Sequence, residues 1–406
     1  MENSEYRLVA SGGSERPRQS RIALVVGVTA LLFVYAATAT WTSDGQTRDT
    51  RGAALPGWNL VENGSLELSE FSSLDAWLVE TDDGWFSNRS PGLIAVASVG
   101  YLLTAPFTDS FSYWPSTMMA ILMSAAAAGL VAATAKRLGG EWSHWPIVIV
   151  GLASSVWSIA ADQLWPHGPA AMFLALGVWG LTTDRNWLVG AVFGLAVLVR
   201  PPVAVIAFVI GVGLSLYRRD AKPLFQIGVP TSVAAVAYLF YNWLIFGSLS
   251  PTAAYEAVGG GLRSGTDTLQ SSLANVLVAF ASPRYGVLVW TPWIIVGMVA
   301  TSRAWKSLPD WARILAPAAI IYLMVHVQIN RVSGGLPYNY RYAIEAVVVA
   351  APVLIAGLWT KRGDGLFKTA TVITVLTALT LQIAFVFVSE CTGIGTATPK
   401  CGLFGL

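Results

Sequence analysis

Two carboxylates, Asp44 and Asp49, lie in the polar stretch Trp41-Thr-Ser-Asp-Gly-Gln-Thr-Arg-Asp-Thr-Arg51, directly after the apolar run Ile22–Thr40. A carboxylate at the end of an apolar run is held at a membrane surface, where it can take a proton from a hydroxyl nucleophile. These residues point to an enzyme that works at the outer face of a bilayer on a membrane-anchored substrate. They stand out because the chain otherwise avoids charge. Only 12% of the 406 residues are charged and 54% are hydrophobic, against about a quarter charged in soluble domains.

This composition describes a polytopic all-α membrane protein. After Ile22–Thr40, apolar runs recur at Pro115–Ala135, Trp145–Ala160, Gly168–Thr183, Trp187–Val199, Val203–Tyr217, Ile227–Phe246, Gly286–Thr301, Ala312–Val327, Ala343–Trp359 and Phe367–Val388. Counting each run as a crossing, the shorter ones included, predicts about eleven transmembrane helices. Alternating them from a cytoplasmic N-terminus puts Lys136, Arg137, Arg185, Arg218, Arg219, Lys222, Arg303, Lys306, Arg313, Lys361, Arg362 and Lys368 inside. That is the positive-inside pattern. Residues 1–21 then form a cytoplasmic tail, 22–388 the transmembrane domain, 42–114 a large first extracytoplasmic loop, and 389–406 an extracytoplasmic tail. Pro91–Phe107 is expected to be a re-entrant or interfacial helix within that loop, because a full crossing there would turn the basic clusters outward. The acidity of Glu62–Asp83 is read as a solvated loop face.

On this topology the polar residues gather on one side. Asp162, Gln163, Trp165 and His167 fall in the second outer loop, and Arg200 in the tight turn Arg200-Pro-Pro202. Glu256 and Arg284 fall between the later spans, and Arg331, Tyr338 and Arg341 precede the run from Ala343. Arginine suits phosphate because its planar fork donates two parallel hydrogen bonds. Trp157, Trp165, Trp290 and Trp293 are placed to stack on a sugar ring, whereas Trp41, Trp114, Trp145 and Trp187 suit interfacial belts. His144 and His326 are assigned to a cytoplasmic turn and a span. No basic tract interleaved with aromatics suggests nucleic acid. No His, Cys or Asp cluster has metal-ligand spacing, so no metal or other cofactor is expected to be required. Cys391 and Cys401 are ten residues apart in the last stretch, and an external tail would favour their closing a disulfide.

The order of these features resembles the integral-membrane GT-C glycosyltransferases that use polyprenyl-phosphate sugars, the superfamily of protein O-mannosyltransferases and lipid A aminoarabinose transferases. Asp49 stands fifteen residues before Gly64, as an early acidic residue does in those enzymes. Asn88-Arg-Ser-Pro-Gly92 looks like the start of their membrane-hugging helix, and Asp162-Gln-Leu-Trp-Pro-His-Gly is similar to their second outer loop. Tyr241-Asn-Trp-Leu-Ile-Phe-Gly247, Ser282-Pro-Arg-Tyr-Gly286 and Tyr338-Asn-Tyr-Arg-Tyr342 complete the series. The chain departs where Thr50 follows the acidic residue in place of the common Glu, and where prolines often follow the Arg341 segment.

The resemblance implies a GT-C fold and inverting transfer of a sugar such as mannose or arabinose. The donor would be a polyprenyl-phosphate sugar, and the acceptor a hydroxyl of a glycan, glycolipid or protein in the cell envelope. Asp49 is implied as the base, with Asp44 its nearest competitor. Arg341, Arg284, Arg200 and Arg331 would bind the donor phosphate, and His167, Asp162, Gln163, Trp165, Tyr338 and Glu256 the acceptor or sugar. The Ala-, Gly- and Val-rich composition suits the plasma membrane of a high-GC bacterium such as an actinobacterium. A lipid-linked-sugar flippase, a transporter or a glycan ligase are the competing readings. Paired halves with broken helices, the mark of many transporters, are not visible.

Overall fold

In hydrocarbon a single segment satisfies its own backbone only as a helix, and the apolar runs fold accordingly. The computed structural model describes residues 17–74, 76–107, 110–139, 144–257, 269–330 and 339–388. In chain order its elements are α1 (Pro17–Thr38), α2 (Arg48–Asn63), β1 (Leu78–Thr81), β2 (Gly84–Ser87), α3 (Pro91–Thr104), α4 (Trp114–Arg137), α5 (Trp145–Gly151) and α6 (His167–Leu181). They continue as α7 (Asn186–Val199), α8 (Ala204–Arg218), α9 (Lys222–Phe246), α10 (Ala253–Glu256), α11 (Leu269–Ala281) and α12 (Val287–Trp290). The last are α13 (Trp293–Ala304), α14 (Asp310–Ile329), α15 (Ile344–Thr360) and α16 (Gly365–Val388).

Among the described residues six helices are long and apolar enough to cross a membrane, and five apolar helices of 10–17 residues accompany them. The protein is a membrane protein. Two runs expected as single spans are broken. Trp145–Ala160 divides into α5 and a π-helical turn at Val156–Ala160. There the Ser154 hydroxyl donates to Val150 O (2.5 Å) and accepts from Val156 N (3.2 Å), competing with the helical ladder. Gly286–Thr301 divides into α12 and α13 at Pro292, which has no N–H to continue the first helix.

The fold is not purely helical, because β1 and β2 pair antiparallel within the α1–α4 connection, Leu78 opposite Ser87 and Thr81 opposite Gly84. The Asp82-Asp83 turn between them is exposed, as the solvated reading requires. Glu67, also at the surface, has a structural role besides: its carboxylate accepts from Trp85 N (3.1 Å) and Ser69 N (2.7 Å), and from the Ser69 hydroxyl. The Ser69 hydrogen bond leads the contacts that hold this carboxyl below its usual range.

Helix α15 forms the centre, enclosed by α4, α6, α13 and α14 and buried along nearly its whole length. Lipid tails are as apolar as leucine, so close backbone approach through small residues is what holds such helices together. Gly190 of α7 faces the Ile227 carbonyl of α9 with room for no more than a hydrogen, since an added Cβ would lie 2.5 Å from that oxygen. Helix α3 packs against α2, α4 and α7, while Val99, Leu102, Leu103 and Phe107 at its far end are exposed.

At Gly92 an added Cβ would lie 2.5 Å from the Leu198 carbonyl carbon and 2.6 Å from Val199 N. Gly92→Ala should therefore destabilise the fold by about 1–3 kcal/mol by wedging α3 from α7. Gly228→Ala, with nothing within 4 Å of the new methyl, should stabilise it by about 0.5–1 kcal/mol. Unfolding midpoints in a fixed detergent or nanodisc check both.

Candidate active site

The first turn of α2 carries Asp49. Its N-cap is Thr47, extended (φ −77°, ψ 162°), whose hydroxyl accepts from Thr50 N at 3.4 Å. A carboxylate in this first turn meets the positive end of the helix dipole. The turn is pinned from the α5–α6 connection by Gln163. The Gln163 Oε1 accepts from Thr47 N (3.1 Å) and the Thr50 hydroxyl (2.8 Å), and Nε2 donates to Gly45 O (3.0 Å). Asp162 ties down the end of α1, accepting from Thr40 N (3.0 Å) and the Thr40 hydroxyl (2.9 Å).

Two arginines from distant elements grip Asp49. Arg89 Nη1 donates to Oδ1 at 2.7 Å, and Arg341 Nη1 donates to Oδ2 at 3.2 Å. Arg89 follows β2, and its Nε donates to Asn88 Oδ1 at 2.7 Å. Arg341 precedes α15, and its guanidinium is layered against the Trp165 ring (4.5 Å) and the Tyr342 ring (5.3 Å). Burial alone would raise the Asp49 pKa, but the two guanidiniums outweigh it and hold the carboxyl below its ordinary value. The Asp49 side chain remains a fifth exposed, so a ligand can reach it.

The segment before α15 is placed by Asn339, whose backbone is left-handed (φ 63°). Its N–H donates to Arg284 O at 2.7 Å, its Oδ1 accepts from the Ser155 hydroxyl at 2.7 Å, and its Nδ2 donates to Gln382 Oε1 at 3.2 Å.

A second ionic cluster lies one helical turn beyond Arg341, around Glu345 of α15. Its Oε1 accepts from His167 Nδ1 (2.8 Å) and is ion-paired with Arg200, 2.9 Å from Nε; its Oε2 accepts from the Tyr322 hydroxyl (3.4 Å), which in turn accepts from Arg200 Nε (3.4 Å). Arg200 Nη2 is 3.2 Å from His326 Nε2. A guanidinium only donates, so His326 is neutral at that nitrogen, while His167 donates through Nδ1 to the carboxylate. The Tyr342 ring stands between the clusters, 4.9 Å from the Arg200 guanidinium and 4.5 Å from the His326 ring.

Arg89 and Arg200 line a cavity of about 320 Å³, with Asn88, Tyr238, Tyr255, His326, Asn330 and Tyr342 among its polar walls. Leu93, Val199, Pro201, Pro202, Pro251 and Ile329 supply apolar ones. Among the described residues Arg89 Nη2 and Arg200 Nη1 have no hydrogen-bond partner. The cavity thus offers guanidinium donors beside apolar wall, an arrangement that suits an anionic head on a greasy chain.

The structure brings Asp49, Arg341, Gln163 and Trp165 into one cluster and Arg200 and His167 into its neighbour. Asp44 is exposed in a short turn, and Glu256 is exposed and bonded to Ser250 (3.2 Å) and Thr252. Arg284 is exposed over the Tyr285 ring (5.7 Å). Arg331, Tyr338, Cys391 and Cys401 lie outside the described residues. The tryptophans expected to stack on a sugar have the following contacts. Trp157 Nε1 donates to the Thr38 hydroxyl (3.0 Å), Trp290 Nε1 to Arg284 O (2.9 Å) and Trp293 Nε1 to Ala153 O (2.8 Å), and the Trp165 face is covered by Arg341.

Sequence reasoning missed Arg89, Glu345, Tyr322 and Tyr342, and assigned His326 only to a span. Glu345 carried a usable signal, since a carboxylate entering an otherwise apolar run is rarely there without a partner. Arg89 carried none.

No protein family and no curated protein matches the chain. Among solved structures it is similar to the oligosaccharyltransferase of Archaeoglobus fulgidus in complex with zinc and sulfate, with 13% sequence identity and a TM-score of 0.50. That alignment covers 93% of this chain and 54% of the archaeal one, so the chain spans about half the length of that enzyme. A second structure of the enzyme, tethered by a disulfide bond to an acceptor peptide containing the NVT sequon, aligns at 13% identity and a TM-score of 0.47, covering 91% and 55% of the two chains. The first likeness shows a fold shared with that enzyme.

A depressed carboxylate pKa contributes stability above the unfolded-state value of about 3.9, and that stability is lost as pH falls through the folded value. The unfolding midpoint of the wild type should therefore drop more steeply below about pH 4 than that of Asp49→Asn. Melting curves of both proteins between neutral and strongly acidic pH measure the difference.

Proposed function

We propose that the protein is a glycosyltransferase. It moves a sugar from a polyprenyl-phosphate donor to a hydroxyl of a cell-envelope glycan, glycolipid or protein at the extracytoplasmic membrane face. The observation that carries this reading is the accessible Asp49 carboxylate held between Arg89 and Arg341, with Arg89 also facing the cavity that Arg200 lines. Base and phosphate-binding cations are thereby side by side. The fold shared with the archaeal oligosaccharyltransferase supports the reaction class.

The step is a displacement at the anomeric carbon. The acceptor oxygen attacks as the bond from that carbon to the phosphate oxygen breaks, and the electron pair leaves with the polyprenyl phosphate. Asp49 receives the acceptor's proton, since each carboxylate oxygen keeps a lone pair beyond its bond to arginine. A carboxylate of depressed pKa is a weak base and takes the proton late, when the forming bond has made the hydroxyl acidic. Attack from the face opposite the phosphate inverts the centre. Arg89 and Arg200 stabilise the departing phosphate.

Charge balance favours one phosphate over two. Three arginines, Arg89, Arg200 and Arg341, face two carboxylates, Asp49 and Glu345, leaving one positive charge among the described residues. A sugar phosphodiester brings one negative charge and a diphosphate brings two. In this reading the guanidiniums do the work that a divalent cation does elsewhere, so transfer is expected to persist in chelator.

The test is transfer from radiolabelled polyprenyl-phosphate mannose or arabinose to membrane-extract acceptors, with and without EDTA. Asp49→Asn should reduce turnover by about 10²–10⁴-fold, with unfolding at neutral pH showing the variant intact. Wild-type rates in Asp49→Asn would move the base elsewhere. No transfer from any lipid-linked sugar would leave a flippase or transporter as the better reading.

A further inference from the structure

We propose that Glu345 is a positioning residue: from inside α15 it fixes the Arg200 guanidinium so that its free edge faces the cavity. The proposal rests on the reading of that cavity as the site of a lipid phosphate. Glu345 is fully buried in a helix with no other charged residue among Ile344–Thr360. An ionised carboxylate in such surroundings persists only if paired and hydrogen-bonded. Its partners come from three separate elements, namely His167 at the start of α6, Arg200 between α7 and α8, and Tyr322 of α14.

The pairing is directional. Glu345 holds the Nε edge of Arg200, by the ion pair at 2.9 Å and through the Tyr322 hydroxyl that accepts from Nε and donates to the carboxylate, and His326 sits against Nη2. The Tyr342 ring packs against the guanidinium at 4.9 Å, and Arg200 is held in extended backbone (φ −149°, ψ 91°) ahead of two prolines. A side chain fixed on so many sides has little rotamer freedom left to lose when a phosphate binds. A bolt between helices would need the same carboxylate but not an arginine with an open Nη1 beside a cavity. His167 and Tyr322 complete the carboxylate's shell, which leaves Arg200 as the one partner of Glu345 whose donors also line the cavity.

A double-mutant cycle on full-length protein in nanodiscs tests this, read by undecaprenyl phosphate binding, by KM and kcat, and by unfolding midpoint. Glu345→Gln should weaken undecaprenyl phosphate binding by about tenfold and lower donor kcat/KM by at least as much, with kcat falling too because Arg200 also stabilises the departing phosphate. The double variant Glu345→Gln/Arg200→Gln removes both charges. It should melt above the single Glu345→Gln variant yet bind no worse than Arg200→Gln alone, because Glu345 acts through Arg200. Glu345→Asp, which keeps the charge, should retain part of the affinity and serves if Glu345→Gln does not fold. Wild-type affinity in Glu345→Gln, or losses that simply add in the double variant, would overturn the positioning role while leaving the donor reading intact. Failure of the wild type to bind undecaprenyl phosphate would overturn the donor reading and this proposal with it.

Discussion

Ions that cannot reach bulk water must be neutralised in place, and this end of the molecule is organised by that requirement. Glu345 has no exposure at all, and Arg200, Arg89 and His167 are each below a tenth exposed. Removing one partner of such a group leaves the other uncompensated, at a cost of roughly 3–5 kcal/mol. Each charge is therefore bound to its counterpart's position, and the counterparts come from different elements. Asp49 ties α2 to the end of β2 and to the entry of α15, while Glu345 ties α15 to α6, α14 and the α7–α8 turn.

Because Arg341 lies in the short 3-10 turn that leads directly into α15 and Glu345 in the first turn of that helix, the two clusters are mechanically one. The Tyr342 ring between them lies against both Arg200 and Arg341. The α1–α4 connection, which by composition is a solvated loop, is thereby fastened to the most buried helix of the body. Its short hairpin and the Gln163 clamp serve the same end, since they set the directions from which Arg89 and Asp49 arrive. The broken helices contribute too. Ser155 and Ser158, exposed to polar partners where Trp145–Ala160 leaves the α-helical path, bond Asn339 and fix the backbone that presents Arg341.

Helical content, membrane character and the polar stretch around Asp49 were legible in the sequence, because they depend on local composition and on the length of apolar runs. The Asp49 and Arg341 motifs were legible as types and order. The internal breaks were harder to read, since a single serine or proline in an apolar run is common in unbroken membrane helices as well. Glu67 is at the surface, but its role as a structural acceptor for backbone donors at the hairpin was not legible, because those donors come from separate segments.

By itself the sequence determined which segments leave water and which residue types were available for chemistry, since hydrophobic transfer and helix formation act over neighbours. Only the tertiary structure decided the pairing of charges. Asp49 and Arg341 are 292 positions apart, and His167 and Glu345 are 178 apart, so no local pattern links them. Their partnership follows from helix packing that brings ions together where water is excluded, and there an unpaired charge would be too costly to keep.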